Sequence, residues 1–232
     1  MEPAEAVSRT DGRQRAAPWR DLGERTVVLR GHRIRLVHPR VGLDLLDEAA
    51  FERDQFLPYW AELWPSGLAL ARVVAAAELT GKRTLELGCG LALPSIAAAL
   101  AGARPLATDW SSDAVAFAAT NAARNGIPIA TARCSWTEPG PLVAAAPWDL
   151  VLAADVLYEA RNVAPLLALL PCLVAVGGEA WVADPGRRHT TGFLEAAAGS
   201  GTWRVRSLPD PRELGVAVHQ LRLLRNPRVR RL

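Results

Sequence analysis

Two glycines sit between two carboxylates in the stretch TLELGCGLALPSIAAALAGARPLATDW, residues 84–110. Glu86 precedes Gly88 and Gly90, and Asp109 closes the next apolar run, about 20 residues on, the spacing of a nucleoside-binding carboxylate. Glycine takes positive φ and lets a ligand approach the backbone, and a carboxylate placed like Asp109 can accept hydrogen bonds from both ribose hydroxyls. Three ligands were weighed against this outline. A phosphate-cradling loop is excluded, because GKRT at 81–84 lacks the GxxxxGK[ST] pattern. A dinucleotide is disfavoured: its fingerprint asks for a third glycine where this chain has Leu93, and Glu86 would repel a pyrophosphate. S-adenosylmethionine (SAM) fits better, since it joins a ribose to an ammonium and a sulfonium without a phosphate. Glu86 then attracts the ammonium directly or through water, and Asp109 takes the ribose. The plain alternative is an ordinary strand-to-helix turn with Asp109 as a helix N-cap.

The elements that must position these groups follow from periodicity. TVVLRGHRIRLVHP predicts a small N-terminal β-hairpin around Gly31. A helix capped by Ser66 is expected to run to about Leu79. From residue 84 short apolar runs alternate with helices. The strand candidates are TLELG, PLATD, PIATARC, WDLVLAAD, EAWVADP, TWRVRSL and VAVHQLRLL. The helix candidates include LPSIAAALAGA, SSDAVAFAATNAARNG (begun by Ser111 or Ser112, ended at Gly126), VAPLLALLPCLVAVGG (closed by its two glycines) and a segment through FLEAAAGS. This pattern predicts an α/β, Rossmann-like, doubly wound and mainly parallel seven-stranded sheet, with an antiparallel C-terminal strand pair. In such a sheet ligands bind beyond the carboxyl ends of the strands, where the glycine turn would lie.

Composition bounds the reading. Of 232 residues half are hydrophobic and 22% charged, a globular composition for one domain. Residues 1–24 are polar and expected to be flexible, with a single domain over 25–232. The net charge of +3 gathers toward the ends, including RNPRVRRL, and gives no argument for a specific nucleic acid. Cys89, Cys134 and Cys172 have no metal spacing, and the four histidines are scattered, so no metal is expected. MEPAEAVSRTDGRQR lacks an apolar core and VAPLLALLPCLVAV is too short to span a bilayer, which predicts a soluble, cytoplasmic protein. The oligomeric state is not legible.

Over roughly residues 55–185 the chain resembles class I, seven-strand SAM-dependent methyltransferases. More narrowly, PYWAELWPSGLALA, LELGCG, ATDW and ADVLYE resemble the methyltransferase-16 family, which contains many protein-lysine methyltransferases. One departure is Ala92, where the family often has glycine; alanine is small enough to keep the turn. The resemblance implies that Trp64 and Gly67 of the WPSG turn close over the methionine end of SAM, whereas both Trp60 and Trp64 packing the first helix is the alternative. It places Cys89 with Gly88 and Gly90 in the cofactor turn. Ser135 and Trp136, just past the third strand, lie where such folds commonly contact the adenine. Trp110 either stands beside the adenine or packs.

Asp155-Val-Leu-Tyr158 follows the strand DLVLAA and therefore sits at the carboxyl edge beside the glycine turn. Methyl transfer is an in-line displacement that needs a neutral lone pair in a site that limits water, and a lysine amine must first lose a proton. Asp155 is the expected catalytic group, orienting the amine or accepting its proton, and it also adjoins the cofactor. Tyr158 is the expected wall of the channel, with Glu159 a weaker candidate. In the alternative, Asp155 caps the following segment and Tyr158 packs at the surface. Val156 and Leu157 replace the prolines of the Asn/Asp-Pro-Pro-Tyr motif of enzymes that methylate planar nitrogens, which agrees with the lysine-type family. The expected substrate is a protein, or else a small-molecule amine. A nicotinamide oxidoreductase and a non-catalytic SAM-binding module are the remaining alternatives.

Overall fold

In a computed structural model of the chain, residues 19, 21–40, 59–209 and 215–225 are described. The expectations for residues 1–18 and 20, and for the basic tail beyond 225, lie outside the described residues. The hairpin is β1 (Leu22–Leu29) and β2 (His32–Pro39), paired antiparallel from Leu22 and Pro39 to Leu29 and His32. Arg30 and Gly31 turn it with φ of 46° and 87°, the left-handed pair that suits a right-twisted ribbon. β1 starts three residues ahead of the expected domain boundary.

After a 3-10 turn at Tyr59–Ala61 come α1 (Pro65–Ala75), β3 (Arg83–Leu87), α2 (Leu93–Leu100), β4 (Arg104–Asp109), α3 (Ser112–Arg124) and β5 (Ala130–Arg133). The chain continues through α4 (Gly140–Ala144), β6 (Trp148–Ala154), α5 (Ala160–Leu173), β7 (Val174–Asp184), α6 (Thr190–Gly199), β8 (Trp203–Pro209) and β9 (Ala217–Leu223). The sheet order is β5-β4-β3-β6-β7-β9-β8, parallel from β5 to β7, with β9 antiparallel to both its neighbours. The chain winds outward from β3 in one direction and from β6 in the other, so the switch point lies between their carboxyl ends. Alternation along β6 feeds two cores. Leu150 and Leu152 face α1 and α2 with Leu70, Val74 and Ile96, while Val151 and Ala153 face α5 and α6 with Leu166, Leu170 and Phe193.

Three local expectations are corrected. VAPLLALLPCLVAVGG is not one helix: α5 ends at Leu173 and β7 takes Val174 onward, in keeping with the β-branched Val174 and Val176. Its glycines form a bulge instead of a helix stop. The register passes from Trp148 opposite Val174 to Leu150 opposite Glu179, and a Cβ on Gly178 would lie 2.8 Å from the Asp149 carbonyl oxygen. Ser66 does not cap α1; Trp64 occupies the cap position, Pro65 opens the helix, and the Ser66 hydroxyl is buried without a hydrogen-bond partner among the described residues. α1 also stops at Ala75. Ser111 does cap α3, accepting from the Ala114 N–H at 3.3 Å.

Two asparagines dock the hairpin. Asn121 Oδ1 accepts from the Val37 N–H at 2.7 Å, and its Nδ2 donates to the carbonyls of Val37 at 3.2 Å and Leu91 at 3.3 Å. One helical turn on, Asn125 exchanges the same pair of bonds with Arg35, at 2.9 and 2.8 Å. Side-chain amides on α3 thus bond the edge of β2 as a neighbouring strand would, at alternate residues. Asn121 has no solvent exposure, and each buried partner left unpaired costs about 1–3 kcal/mol. Asn121→Leu is expected to destabilise the protein by at least about 3 kcal/mol, and Asn125→Ala by clearly less, as measured by urea unfolding of each variant.

Candidate functional site

Every expected site residue, from Trp64 and Gly67 to Asp155 and Tyr158, lines a single cavity of about 1180 Å³ at the carboxyl ends of β3, β4 and β6. Its floor is the turn from β3 to α2. Gly88, Gly90 and Ala92 all have positive φ, 68°, 47° and 61°. Gly90 must be glycine for a reason inside the protein: a Cβ there would lie 2.9 Å from the Trp60 carbonyl oxygen. At Gly88 an added Cβ would meet Trp136 and Val156 at an ordinary 3.5 Å, so its demand is the left-handed backbone. Ala92 is small enough, as the sequence suggested, yet it holds a left-handed conformation that costs a non-glycine residue about 1–2 kcal/mol. The Cys89 side chain is buried beneath the turn, and its N–H donates to the Thr108 carbonyl at 2.9 Å.

Asp109 is both clamp and cavity wall. Its Oδ2 accepts from the Gly90 N–H at 3.1 Å and its Oδ1 from the Ser111 N–H at 3.0 Å, tying the glycine turn to the start of α3. Ser111 and not Asp109 is the N-cap of α3, and each Asp109 oxygen keeps capacity for a second hydrogen bond. Burial raises its pKa.

Glu86 is more committed than the sequence suggested. Its Oε2 accepts from the Ser95 N–H at 2.9 Å and from the Ser95 hydroxyl at 2.5 Å. It thereby serves the amino end of α2, where Ala92 offers no side-chain cap. Ser95 carried no signal of its own in the sequence. Burial, helped by the nearby Asp109 charge and opposed by the Ser95 bonds, pushes Glu86 up to about 8. Among the described residues neither carboxylate makes an ion pair. The floor of the cavity therefore concentrates acceptor capacity and suits a cation and hydroxyl groups, not phosphate.

At the other end, Asp155 adopts φ 57° and donates its N–H to the Ala183 carbonyl at 2.9 Å, locking the end of β6 to β7. Its Oδ1 accepts from Arg187 Nε at 2.5 Å. Arg187 was missed. Asp184 places it, with Oδ1 accepting from the N–H groups of Gly186 and Arg187 at 2.8 and 2.7 Å and from the Thr190 hydroxyl at 2.5 Å. The Asp-Pro-Gly sequence after β7 was the available signal for such a turn. The hydrogen bond to Asp155 raises the Arg187 pKa.

An aromatic strip borders the mouth. Tyr158 packs edge-on against Tyr59 at 5.8 Å, and Tyr59 against Trp64 at 6.2 Å. Trp64 Nε1 donates to the Tyr59 carbonyl at 2.8 Å. Tyr59, also missed, is the hinge of the strip. Burial first, then the Glu159 charge, raises the Tyr158 pKa. Both tryptophans of the motif line the cavity, and Trp60 also packs its ring into the cluster of Trp19 at 5.7 Å and Phe117 at 5.5 Å. Gly67 stands in the first turn of α1, and an added Cβ would meet only Leu63 at 3.8 Å. Trp136 lies over Gly88; the Ser135 hydroxyl bonds that of Thr137 at 2.8 Å. Trp110 is exposed, with its carbonyl accepting from Arg133 Nε at 2.8 Å.

Glu86 has a testable consequence for stability. Its folded pKa of about 8 exceeds the ordinary 4.5, so the folded state holds the proton more tightly than the unfolded chain. That contribution is complete below the ordinary value and is lost as pH rises through about 8. Glu86→Gln is expected to gain thermal stability relative to wild type as pH rises from 5 to 8.5, with the difference in Tm growing across that window. A constant difference would place the titration elsewhere.

The comparisons with known proteins agree with this geometry. The electron transfer flavoprotein beta subunit lysine methyltransferase of Rattus norvegicus is 34% identical over 142 residues, covering 58% of this chain and 53% of that protein. The histone-arginine methyltransferase METTL23 of Xenopus laevis is 31% identical over 119 residues, covering 47% and 49%. The chain spans about half the length of these curated relatives. Among solved structures, the 16S rRNA N2 G1207 methyltransferase of T. thermophilus, in complex with AdoMet and guanosine, superposes with a TM-score of 0.64 at 13% identity, covering 87% of this chain and 50% of that one. The ribosomal protein L11 methylase of Lactobacillus delbrueckii subsp. bulgaricus gives 0.55 at 22%, covering 67% and 78%. These structures share the fold. The decisive match is to the lysine methyltransferase family model over residues 58–196, a span running from the aromatic strip through the glycine turn and Asp155 into α6, and the chain belongs to that family.

Proposed function

We propose that this protein binds SAM in the cavity and transfers its methyl group to the side chain of a protein lysine. The observation that carries the reading is the meeting, in one cavity, of the glycine turn with its two carboxylates and the Asp155–Tyr158 segment under an aromatic rim. Family membership and the names of the relatives, which act on protein lysine or arginine, support a protein substrate.

When bound, SAM supplies a methyl group activated by its sulfonium. Asp109 has capacity to accept from ribose hydroxyls, and an ammonium bound beside Glu86 would favour its ionised form against the burial that raises its pKa. Trp136, Ser135 and Trp110 supply the adenine side. Trp64 and Gly67 border the methionine side, with Cys89 beneath the turn. The lysine chain is aliphatic with a polar tip, which suits the faces of Tyr59, Trp64 and Tyr158. The acceptor nitrogen enters as a neutral amine, forms the N–C bond as the C–S bond breaks, gains positive charge, and returns a proton to solvent. Asp155 accepts an N–H and aims the lone pair. With Oδ1 engaged by Arg187, orientation is the role its geometry favours over proton abstraction. The buried thiols of Cys89 and Cys134 and the partly exposed Cys172, all unpaired, suit a reducing compartment such as the cytoplasm. Among the described residues no helix is long and apolar enough to cross a membrane.

Calorimetry is expected to give SAM binding and no NAD binding; tighter NAD binding sinks the reading. Asp109→Asn, which keeps one acceptor oxygen, is expected to weaken SAM binding by about 10-fold or more, the weight of a hydrogen bond to a charged acceptor. Asp155→Asn is expected to lower single-turnover methyl transfer by about 10²-fold at saturating SAM, the cost of a misoriented nucleophile, with SAM affinity falling much less and the fold kept. Incubating the protein with labelled SAM and host lysate is expected to label lysine in protein. Label confined to small amines would instead assign a small-molecule N-methyltransferase.

A further inference from the structure

Asp155, the carboxylate assigned to orient the acceptor, does not face the cavity alone. Its side chain is 8% exposed, and Arg187, 35% exposed, holds it from the mouth side while itself lining the cavity. The pair is built into the fold. Asp184 spends one oxygen on three hydrogen bonds that shape the loop after β7, and Gly186 supplies the φ of 83° that brings Arg187 back over β6. Asp155 meets it from a left-handed backbone whose N–H is bonded to β7. Two strand ends thus spend backbone strain and a buried carboxylate on one ion pair.

The chemistry of the acceptor gives that arrangement a purpose. A lysine side chain is an ammonium in neutral water, and the ammonium has no lone pair for attack. An isolated carboxylate at the acceptor position would attract the ammonium and hold it in the unreactive form, since an opposite charge nearby favours the charged state. A carboxylate already paired with guanidinium is close to neutral as a unit, yet its other oxygen still accepts an N–H. Other charges at this corner do not replace Arg187. Glu159 is paired with Arg161 beside Tyr158, Asp184 lies behind the loop, and Glu86 and Asp109 lie at the glycine turn.

We infer that Arg187 is a positioning residue that masks the charge of Asp155, so that the acceptor site selects the neutral amine over the ammonium. The inference rests on the lysine reading. Its test uses two probes the length of a lysine side chain, n-butylammonium and 1-butanol, titrated by NMR into protein loaded with S-adenosylhomocysteine at pH 7.5.

Arg187→Gln is expected to bind n-butylammonium about tenfold more tightly than wild type, the order expected for an unmasked carboxylate near the surface, with 1-butanol unchanged. It is also expected to transfer methyl groups to lysate protein at least about tenfold more slowly in a single turnover, in proportion to the ammonium it now holds. Arg187→Lys keeps a cation and is expected to restore wild-type discrimination between the probes. A Tm within a few degrees of wild type shows that the loop is intact. An Arg187→Gln protein that binds both probes as wild type does, or fails to bind n-butylammonium at all, overturns the masking role. Wild-type protein that transfers no methyl group to lysine overturns the lysine reading itself, a separate result.

Discussion

The chain must leave β3, reverse, and enter α2 within Gly88–Ala92, and the rest of the site depends on how that turn is held. Its backbone N–H groups need partners inside the protein: that of Cys89 donates to the Thr108 carbonyl and that of Ala92 to the Cys89 carbonyl. Asp109 reaches from β4 to take the Gly90 N–H, while Glu86 reaches from β3 to take two donors of Ser95. Both carboxylates are bound to the framework before any ligand arrives. They are consequently preorganised, and a ligand meets acceptors that need not be reoriented. The acceptor oxygens that face a ligand are the ones that fasten the turn and the helix after it.

The constraint extends outward. Gly90 lacks a side chain because the Trp60 carbonyl crosses it, so the segment before α1 seals one flank of the turn. The Trp60 ring packs with Trp19 and Phe117, while Trp64, four residues later, joins Tyr59 and Tyr158 at the mouth. A single short segment therefore fixes the turn from outside and lines the mouth from within.

Much of this was legible in the residues. Seven strands and their antiparallel end followed from short apolar runs, and the carboxylates at 86, 109 and 155 followed from strand ends. What escaped was of two kinds. Arg187 and Asp155 lie far apart in sequence and meet only because β6 and β7 are neighbours, so no local pattern announces the pair. Asn121 and Asn125 read as ordinary helix-surface residues, because the strand they serve is distant in the chain. The glycines of VAVGG misled for a local reason: glycine after an apolar run signals a helix stop or a bulge equally, and the β-branched valines before it decide for the strand. Trp60 and Trp64 were indistinguishable as residue types; their separate ring partners, Trp19 and Phe117 for one and Tyr59 for the other, are set by distant parts of the fold and by the 3-10 turn.

The asparagine-docked hairpin carries a consequence for how the molecule breathes. Among the described residues β1 and β2 pair with each other and touch the sheet through no ladder of backbone bonds. A ribbon held by side chains alone, the asparagine amides and the buried Leu29, Ile34 and Leu36, is a unit whose detachment with the seven strands still folded is a subglobal opening of lower free energy than complete unfolding. The same Asn121 that bonds Val37 also bonds the Leu91 carbonyl within the glycine turn. Detachment of the ribbon and loosening of the turn are therefore coupled, and whatever rigidifies the turn protects the amides of β2 packed beside it.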